Sequence, residues 1–185
     1  MELTDSVMGI VGFGAVGRAL AVRTQAFGAR ILAVDVLSVD KPEWVSELWD
    51  LDRLDDLLRE SDYVVVTVPS TPETRGMIGA EQIALMKENA MLVGISRGDI
   101  IDQGALAQAL REDRLAAAAL DVFSPEPLPD DSELWALDNM LITPHIAGGN
   151  QFEAQYILDI FRENLTRFLS GNLPLRNQID KQRGF

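Results

Sequence analysis

The sequence predicts an α/β fold built on a doubly wound parallel sheet, and three observations carry that expectation. Strand-like apolar runs alternate with helix-period segments along the chain. The runs are almost continuously apolar, as in strands covered on both faces. A glycine-rich stretch, Gly12-Phe13-Gly14-Ala15-Val16-Gly17, lies where the first run gives way to the first helical pattern.

Val7 to Val11 reads as the first buried strand. The spacing then predicts a helix from Ala15 to Phe27, with Val16, Ala19, Leu20 and Phe27 on one face and Gly28 at its end. Arg30 to Val34 is a second strand ending in Asp35. Ser38 to Asp50, with Pro42 and two of the three tryptophans, carries no clear period. Leu51 to Glu60 reads as a helix with Leu51, Leu54, Leu57 and Leu58 on one side. Tyr63 to Val68 is a β-branched strand stopped by Pro69.

A short helix is expected over Gly79 to Met86, a strand over Met91 to Ile95, and a helix over Asp102 to Asp113 with Leu106 and Leu110 inward. Ala116 to Val122 is an alanine-rich strand whose small side chains allow a helix or cofactor to come close. Three prolines and three acidic residues make Ser124 to Asp131 a loop, and Met140 to Thr143 reads as the last strand. A long helix from Gln151 to Leu169 has an apolar stripe of Phe152, Ile157, Ile160, Phe161, Leu165 and Phe168, and Gly171 ends it.

At 185 residues, 47% of them apolar, the chain can bury a full core. The expected division is a dinucleotide-binding domain over residues 1–150 and a C-terminal helix and tail over 151–185. The formal charge of −13 repels nucleic acid and anionic lipid, so neither is an expected partner. Without cysteine there is no disulfide, no thiolate metal site and no cysteine nucleophile. No metal is expected. Residues Met1 to Asp5 form no apolar signal core, and no apolar run is long enough to span a bilayer. The simplest expectation is a soluble cytoplasmic protein.

The glycine stretch has the context of a Rossmann-type dinucleotide fingerprint, since it follows a strand and opens a helix. Gly12 allows the tight turn, Gly14 the approach of a pyrophosphate, and Gly17 close packing of helix on strand. The helix N-terminus offers free N–H groups to phosphates. A carboxylate at Asp35 suits both adenosine ribose hydroxyls and repels a 2′-phosphate, which favours NAD over NADP. The plainer alternative is a tight turn with Asp35 as a strand-end cap.

His145, the only histidine, follows the last strand, and proton transfer near pH 7 suits it. Glu126 follows another strand and, if it reaches His145, fixes the tautomer. Arg97 follows a third, with a planar fork suited to a carboxylate substrate. Each has an ordinary reading when taken singly: a structural histidine, a solvated acid, an arginine paired with Asp99 or Asp102. Their shared placement past different strand ends favours chemistry.

Five segments, in order, resemble the NAD-dependent D-isomer-specific 2-hydroxyacid dehydrogenases. They are Gly12 to Gly17, Thr71-Pro72-Glu73-Thr74-Arg75-Gly76-Met77-Ile78-Gly79, Ser96-Arg97-Gly98, Asp121-Val122-Phe123 through Glu126-Pro127, and Thr143-Pro144-His145-Ile146-Ala147-Gly148. The resemblance runs from Val7 to Lys181. It implies Arg97 for the substrate carboxylate, Glu126 as partner of the histidine, and His145 as acid and base. It also implies Ala15 and Val16 at the pyrophosphate, Asp35 at the ribose and Thr74 near the phosphates. Ile95, Arg97, Asp121 and Gly148, together with His145, fall toward the nicotinamide end. The implied reaction interconverts a small 2-hydroxy acid and a 2-keto acid with NAD, and the implied assembly is a homodimer.

Two departures stand out. Gly94 replaces the asparagine usual in the family before Ile-Ser-Arg, an expected loss of a hydrogen bond and a looser loop around Arg97. The family's substrate domain precedes the glycine loop, whereas few residues precede Val7 here. The sequence therefore supports either a dehydrogenase represented by its cofactor domain (a fragment, truncated product or split subunit) or an NAD(H)-binding module without turnover, a sensor or partner subunit. Apolar surface is expected at Phe152 to Phe168 or at Trp44 to Trp49.

Overall fold

The computed structural model describes residues 2–184. Among the described residues seven strands form one sheet: β1 Val7–Val11, β2 Arg30–Asp35, β3 Glu47–Asp50, β4 Tyr63–Val66, β5 Met91–Gly94, β6 Ala117–Leu120 and β7 Met140–Ile142. Five α-helices among the same residues connect or follow them: α1 Ala15–Gln25, α2 Leu54–Glu60, α3 Ala80–Leu85, α4 Gln103–Arg111 and α5 Glu153–Leu169. Every pairing is parallel and the order is β3-β2-β1-β4-β5-β6-β7. Strand order reverses between β1 and β4, where an open α/β sheet forms its ligand crevice. The predicted fold class is the observed one.

The alternation of side chains along each strand splits the core in two. Ile10, Ile31, Ala33 and Val65 pack with Phe13 and Ala21 on the face that carries α1. Val11, Leu32, Val34, Val64, Val66 and Leu92 pack with side chains of α2, α3 and α4, including Leu57, Ile83 and Leu106, on the other. Each fully buried aliphatic side chain contributes about 1.5–3 kcal/mol relative to its exposed state, so two-sided burial favours this register strongly.

Helix α1 differs from its sequence reading. Its buried residues are Gly17, Ala21 and Thr24, while Val16 and Phe27 are 55% and 59% exposed. Small side chains face the sheet because the helix axis lies close to it. The Thr24 hydroxyl is satisfied inside the helix by the Leu20 and Ala21 carbonyls.

Residues 38–50, without a clear period, contain the edge strand β3, and Leu51–Arg53 forms a 3-10 turn before α2. A second 3-10 turn, Glu133–Ala136, lies in a stretch given no element. Trp44 and Trp49 pack against the core, so the exposed apolar surface is not there.

Residues 1–145 and 146–185 form separate compact units. The second holds α5, none of whose residues is buried. Its predicted stripe exists and faces outward, with Phe161 61% and Phe168 68% exposed. Gly171, at φ +69, ends the helix, and Asn164 clamps the tail through both the N–H and the carbonyl of Arg176. Among the described residues no helix is long and apolar enough to cross a membrane.

Candidate active site

The sheet register lines up Val34, Val11, Val66, Gly94, Leu120 and Ile142 at the carboxyl edge. The residues that follow them are therefore Asp35, Gly12, Thr67, Ile95, Asp121 and Thr143, in one row. Backbone bonds continue the ladder by one step, from Gly12 N to Val34 O, Thr67 N to Val11 O, Asp121 N to Gly94 O and Thr143 N to Leu120 O. Residues distant in sequence thus share one edge.

At the centre of that row the glycines have distinct physical roles. Gly12 has φ +99, and a Cβ there would sit 2.8 Å from Val68 Cγ1. A Cβ on Gly17 would lie 2.1 Å from the Gly12 carbonyl oxygen, so helix and strand could not approach as they do. A Cβ on Gly14 would meet nothing within 4 Å: the loop faces open space there. Gly14 caps α1 without a side-chain hydrogen bond, which leaves the first N–H groups of the helix available to an anion. Ala15 and Val16 are exposed beside it. This bare, glycine-lined helix N-terminus fits a pyrophosphate. The Thr67 hydroxyl donates to the Gly12 carbonyl at 2.7 Å and fixes the turn from below.

Asp35 does more than the sequence reading assigned to it. Its Oδ2 accepts from Phe13 N–H at 2.6 Å and its Oδ1 from Leu37 N–H at 2.8 Å. It ties the glycine loop to the end of β2. Each carboxylate oxygen can accept more than one hydrogen bond, so the group retains acceptor capacity for ribose hydroxyls.

Thr74 is 7% exposed. Its hydroxyl donates to the Pro69 carbonyl at 2.7 Å and accepts from Thr71 N–H at 2.8 Å, so it holds the loop after β4 in shape. In the same region Asp99 accepts from the Ser70 hydroxyl at 2.7 Å and pairs with Arg75 at 3.2 Å.

Past β5, Ile95 is half-buried and Arg97 exposed, with Nη1 of Arg97 donating to the Ser96 carbonyl at 2.7 Å. A Cβ on Gly98 would fall 1.9 Å from the carbonyl carbon of Phe123, so this glycine lets the loops after β5 and β6 touch. Gly94, the departure from the family's usual asparagine, is closely packed at the end of β5. A Cβ at Gly94 would lie 2.7 Å from Leu120 Cδ2 and 2.8 Å from Ile101 Cδ1, because those side chains fill the place of the missing one.

Asp121 is 4% exposed and accepts from the Thr143 hydroxyl at 2.6 Å, joining the ends of β6 and β7. His145 follows with φ +55, in the left-handed region that non-glycine residues seldom occupy. Its Nδ1 lies 2.9 Å from Glu126 Oε2, and Glu126 Oε1 accepts from Phe123 N–H at 2.8 Å. Hydrogen bonding to His145, then to the Phe123 backbone, holds the Glu126 carboxyl below its ordinary range against the opposing effect of burial; the charges of His145 and Arg97 add to it. An ionised carboxylate only accepts, so the proton of this contact sits on Nδ1, which leaves Nε2 as the unprotonated nitrogen of the neutral ring.

Arg97, Glu126 and His145 are thus gathered at one edge. Gly148 lies in the second compact unit and is exposed. Sequence reasoning gave no role to Thr67, Gly98 or Thr143. Gly98 and Thr143 lay inside quoted motifs, but only their spatial partners reveal what they do.

Residues 1–147 match the sequence model described as D-isomer specific 2-hydroxyacid dehydrogenase, NAD binding domain. The chain is 43% identical to a glyoxylate reductase of Korarchaeum cryptofilum over 94% of its own length and 52% of that protein's. It is 41% identical to a D-3-phosphoglycerate dehydrogenase of Methanocaldococcus jannaschii, across 94% of this chain and 33% of the relative. A crystal structure of a D-isomer specific 2-hydroxyacid dehydrogenase from Xanthobacter autotrophicus Py2, in complex with NADPH and MES, superposes with a TM-score of 0.90 at 37% identity, covering 97% of this chain and 73% of that one. The chain spans about half the length of the first of these relatives.

Proposed function

The chain belongs to the D-isomer specific 2-hydroxyacid dehydrogenase family, and on that footing we propose that it interconverts a small 2-keto acid and its 2-hydroxy acid with a bound nicotinamide dinucleotide. The His145–Glu126 contact of 2.9 Å, beyond the carboxyl ends of the sheet, carries the reading. The cofactor, when bound, supplies or accepts the hydride. The backbone of Gly12 to Gly17 and the N-terminus of α1 would hold its pyrophosphate, and Asp35 its ribose, with NAD preferred to NADP. Ile95, Asp121 and Gly148 are assigned to the nicotinamide end by family likeness.

The protein's own part is positioning and proton transfer. Arg97 pairs with the substrate carboxylate. Protonated His145 donates from Nε2 to the carbonyl oxygen as negative charge develops there, and in the other direction neutral Nε2 removes the hydroxyl proton. Glu126 keeps the proton on Nδ1 and stabilises the imidazolium.

A second reading is a nicotinamide-binding module without turnover, which the glycine loop and the bare N-terminus of α1 support by themselves. A homodimeric, cytoplasmic protein completes the proposal; the exposed apolar residues of α5 support self-association.

The test is NADH oxidation with glyoxylate, hydroxypyruvate, pyruvate and larger keto acids, with and without His145→Ala. Turnover abolished by the substitution supports the dehydrogenase. Tight NADH binding with no turnover on any keto acid leaves the binding module.

A further inference from the structure

One side chain ties the loop after β4 to the loop after β5. Asp99 Oδ2 accepts from the Ser70 hydroxyl at 2.7 Å and pairs with Arg75 Nε at 3.2 Å. Arg75 Nε also faces Ser70 Oγ at 3.5 Å, which closes a cluster of three residues. Ser70 and Arg75 bracket Thr71 to Thr74, a compact turn in which the N–H groups of Thr74 and Arg75 both donate to the Thr71 carbonyl. Asp99 stands two residues past Arg97, inside the turn that Ile100 N–H closes on the Arg97 carbonyl at 3.4 Å.

Backbone bonds join the same two loops, from Gly76 N–H to the Asp99 carbonyl at 2.8 Å and from Ile78 N–H to the Ile100 carbonyl at 3.1 Å. The Asp99 side chain extends that junction to Ser70 and Arg75, and so to both ends of the turn that holds Thr74. Its other oxygen, Oδ1, is buried with no hydrogen-bond partner among the described residues. An unmet buried acceptor is unfavourable, so the bonds at Oδ2 are what hold the carboxylate in place.

We propose that Asp99 is a positioning residue that clamps the Ser70–Arg75 loop to the segment bearing Arg97, so that a dinucleotide which orders the first also orders the second. The inference rests on the dinucleotide reading above and on the family likeness that sets Thr74 near the phosphates. An exposed loop loses conformational freedom when a ligand orders it. Where two loops share a clamp, the first ligand orders both, and the next ligand meets a segment already fixed. Arg97 is exposed, with Nη1 bonded to the adjacent Ser96 carbonyl, so the backbone beneath it sets where its guanidinium stands. The solvent-exposed pair with Arg75 is weak by itself, and the part-buried Ser70 bond carries most of the clamp.

The experiment is amide hydrogen exchange on the full chain with and without saturating NADH, followed in segments 12–18, 71–76 and 97–101. It needs no turnover, and 12–18 reports binding at the glycine loop. NADH is expected to slow exchange by ~5-fold or more in all three segments of the wild type. In Asp99→Ala the slowing should persist at 12–18 and 71–76 and fall below ~2-fold at 97–101. Ser70→Ala, a milder change that removes one hydroxyl, should give the same split. Asp99→Asn, whose side-chain carbonyl still accepts from Ser70, should restore the slowing. A merely structural loss speeds exchange with and without NADH and produces no such split.

Equal slowing at 97–101 in the wild type and both alanine variants overturns the clamp and leaves the dinucleotide reading intact. So does a wild type in which NADH leaves 97–101 unprotected, a loss in the variants that extends to 71–76, or no recovery in Asp99→Asn. Failure of NADH to slow exchange in any segment overturns both.

Discussion

The backbone N–H of Phe13 donates to Asp35 Oδ2 at 2.6 Å, so the residue assigned to the ribose also fixes the loop assigned to the pyrophosphate. Removing the side chain and neutralising it should therefore have different effects. Asp35→Ala is expected to weaken NADH by ~10-fold or more and NADPH by less, since a repulsion of the 2′-phosphate disappears with the charge. It should also lower stability by about 1–3 kcal/mol, because the Phe13 and Leu37 amides lose their acceptor. Asp35→Asn keeps one of the two acceptor oxygens and should recover only part of the stability, without the discrimination. Fluorescence titrations with both cofactors, with thermal melts, separate the effects. An equal loss for NADH and NADPH would remove Asp35 from the ribose role.

Gly14 and Gly98 should fail in opposite ways. A Cβ at Gly14 enters open space and the residue has φ −74, so Gly14→Ala should leave stability within about 0.5 kcal/mol of wild type. The methyl occupies the pyrophosphate approach, so NADH binding should fall ~10-fold or more. A Cβ at Gly98 meets Phe123 backbone atoms that cannot rotate away, so Gly98→Ala should cost about 3 kcal/mol or more. A melt and a cofactor titration on each variant check both statements.

Gly94→Asn, which restores the family's usual residue, is expected to destabilise rather than tighten the loop. The new side chain must displace Leu120 Cδ2 and Ile101 Cδ1, a strain of about 1–3 kcal/mol. Leu120→Val in the same chain should return part of that loss. A double-mutant cycle by denaturant unfolding measures the coupling, and additivity would show that the two positions do not compete for space.

Glu126 gives the fold an acid-sensitive contact. Its carboxyl is held below the unfolded value, so the folded form binds its proton less readily than the unfolded chain does. The stabilisation is present above ~pH 4.3 and is lost as pH falls through the lower folded value. Glu126→Gln should flatten this limb of the stability–pH curve and cut turnover, where turnover is measured, by ~10-fold or more. An unchanged limb in Glu126→Gln would assign the acid sensitivity elsewhere.

The fold was legible because each central strand is an apolar run and each helix has one dominant face. Leu106 and Leu110, at helical spacing, are buried as expected. Strand β3 was not, because Glu47-Leu48-Trp49-Asp50 is a sheet edge with polar ends and no β-branched residue, and its pairing to β2 is a tertiary choice. Helix α1 misled for a related reason: a helix pressed onto a sheet buries its small residues, which a count of large apolar side chains assigns outward. Within the candidate site, residue types and strand-end positions were readable from the sequence. Partners were not. Nothing in one dimension shows that Asp35 also serves the Phe13 amide, that Thr143 meets Asp121, or that Leu120 takes the volume left by Gly94.

Gly98 has a further consequence. With no side chain between them, the segment bearing Arg97 and the segment leading to Glu126 touch through backbone alone. The arginine proposed to anchor the carboxylate and the glutamate proposed to orient the imidazole are therefore coupled through touching backbone, with no side-chain layer between the two segments. A substitution that shifts one of these segments is therefore passed directly to the other, so the spacing of Arg97 and Glu126 depends on the packing at the ends of both β5 and β6.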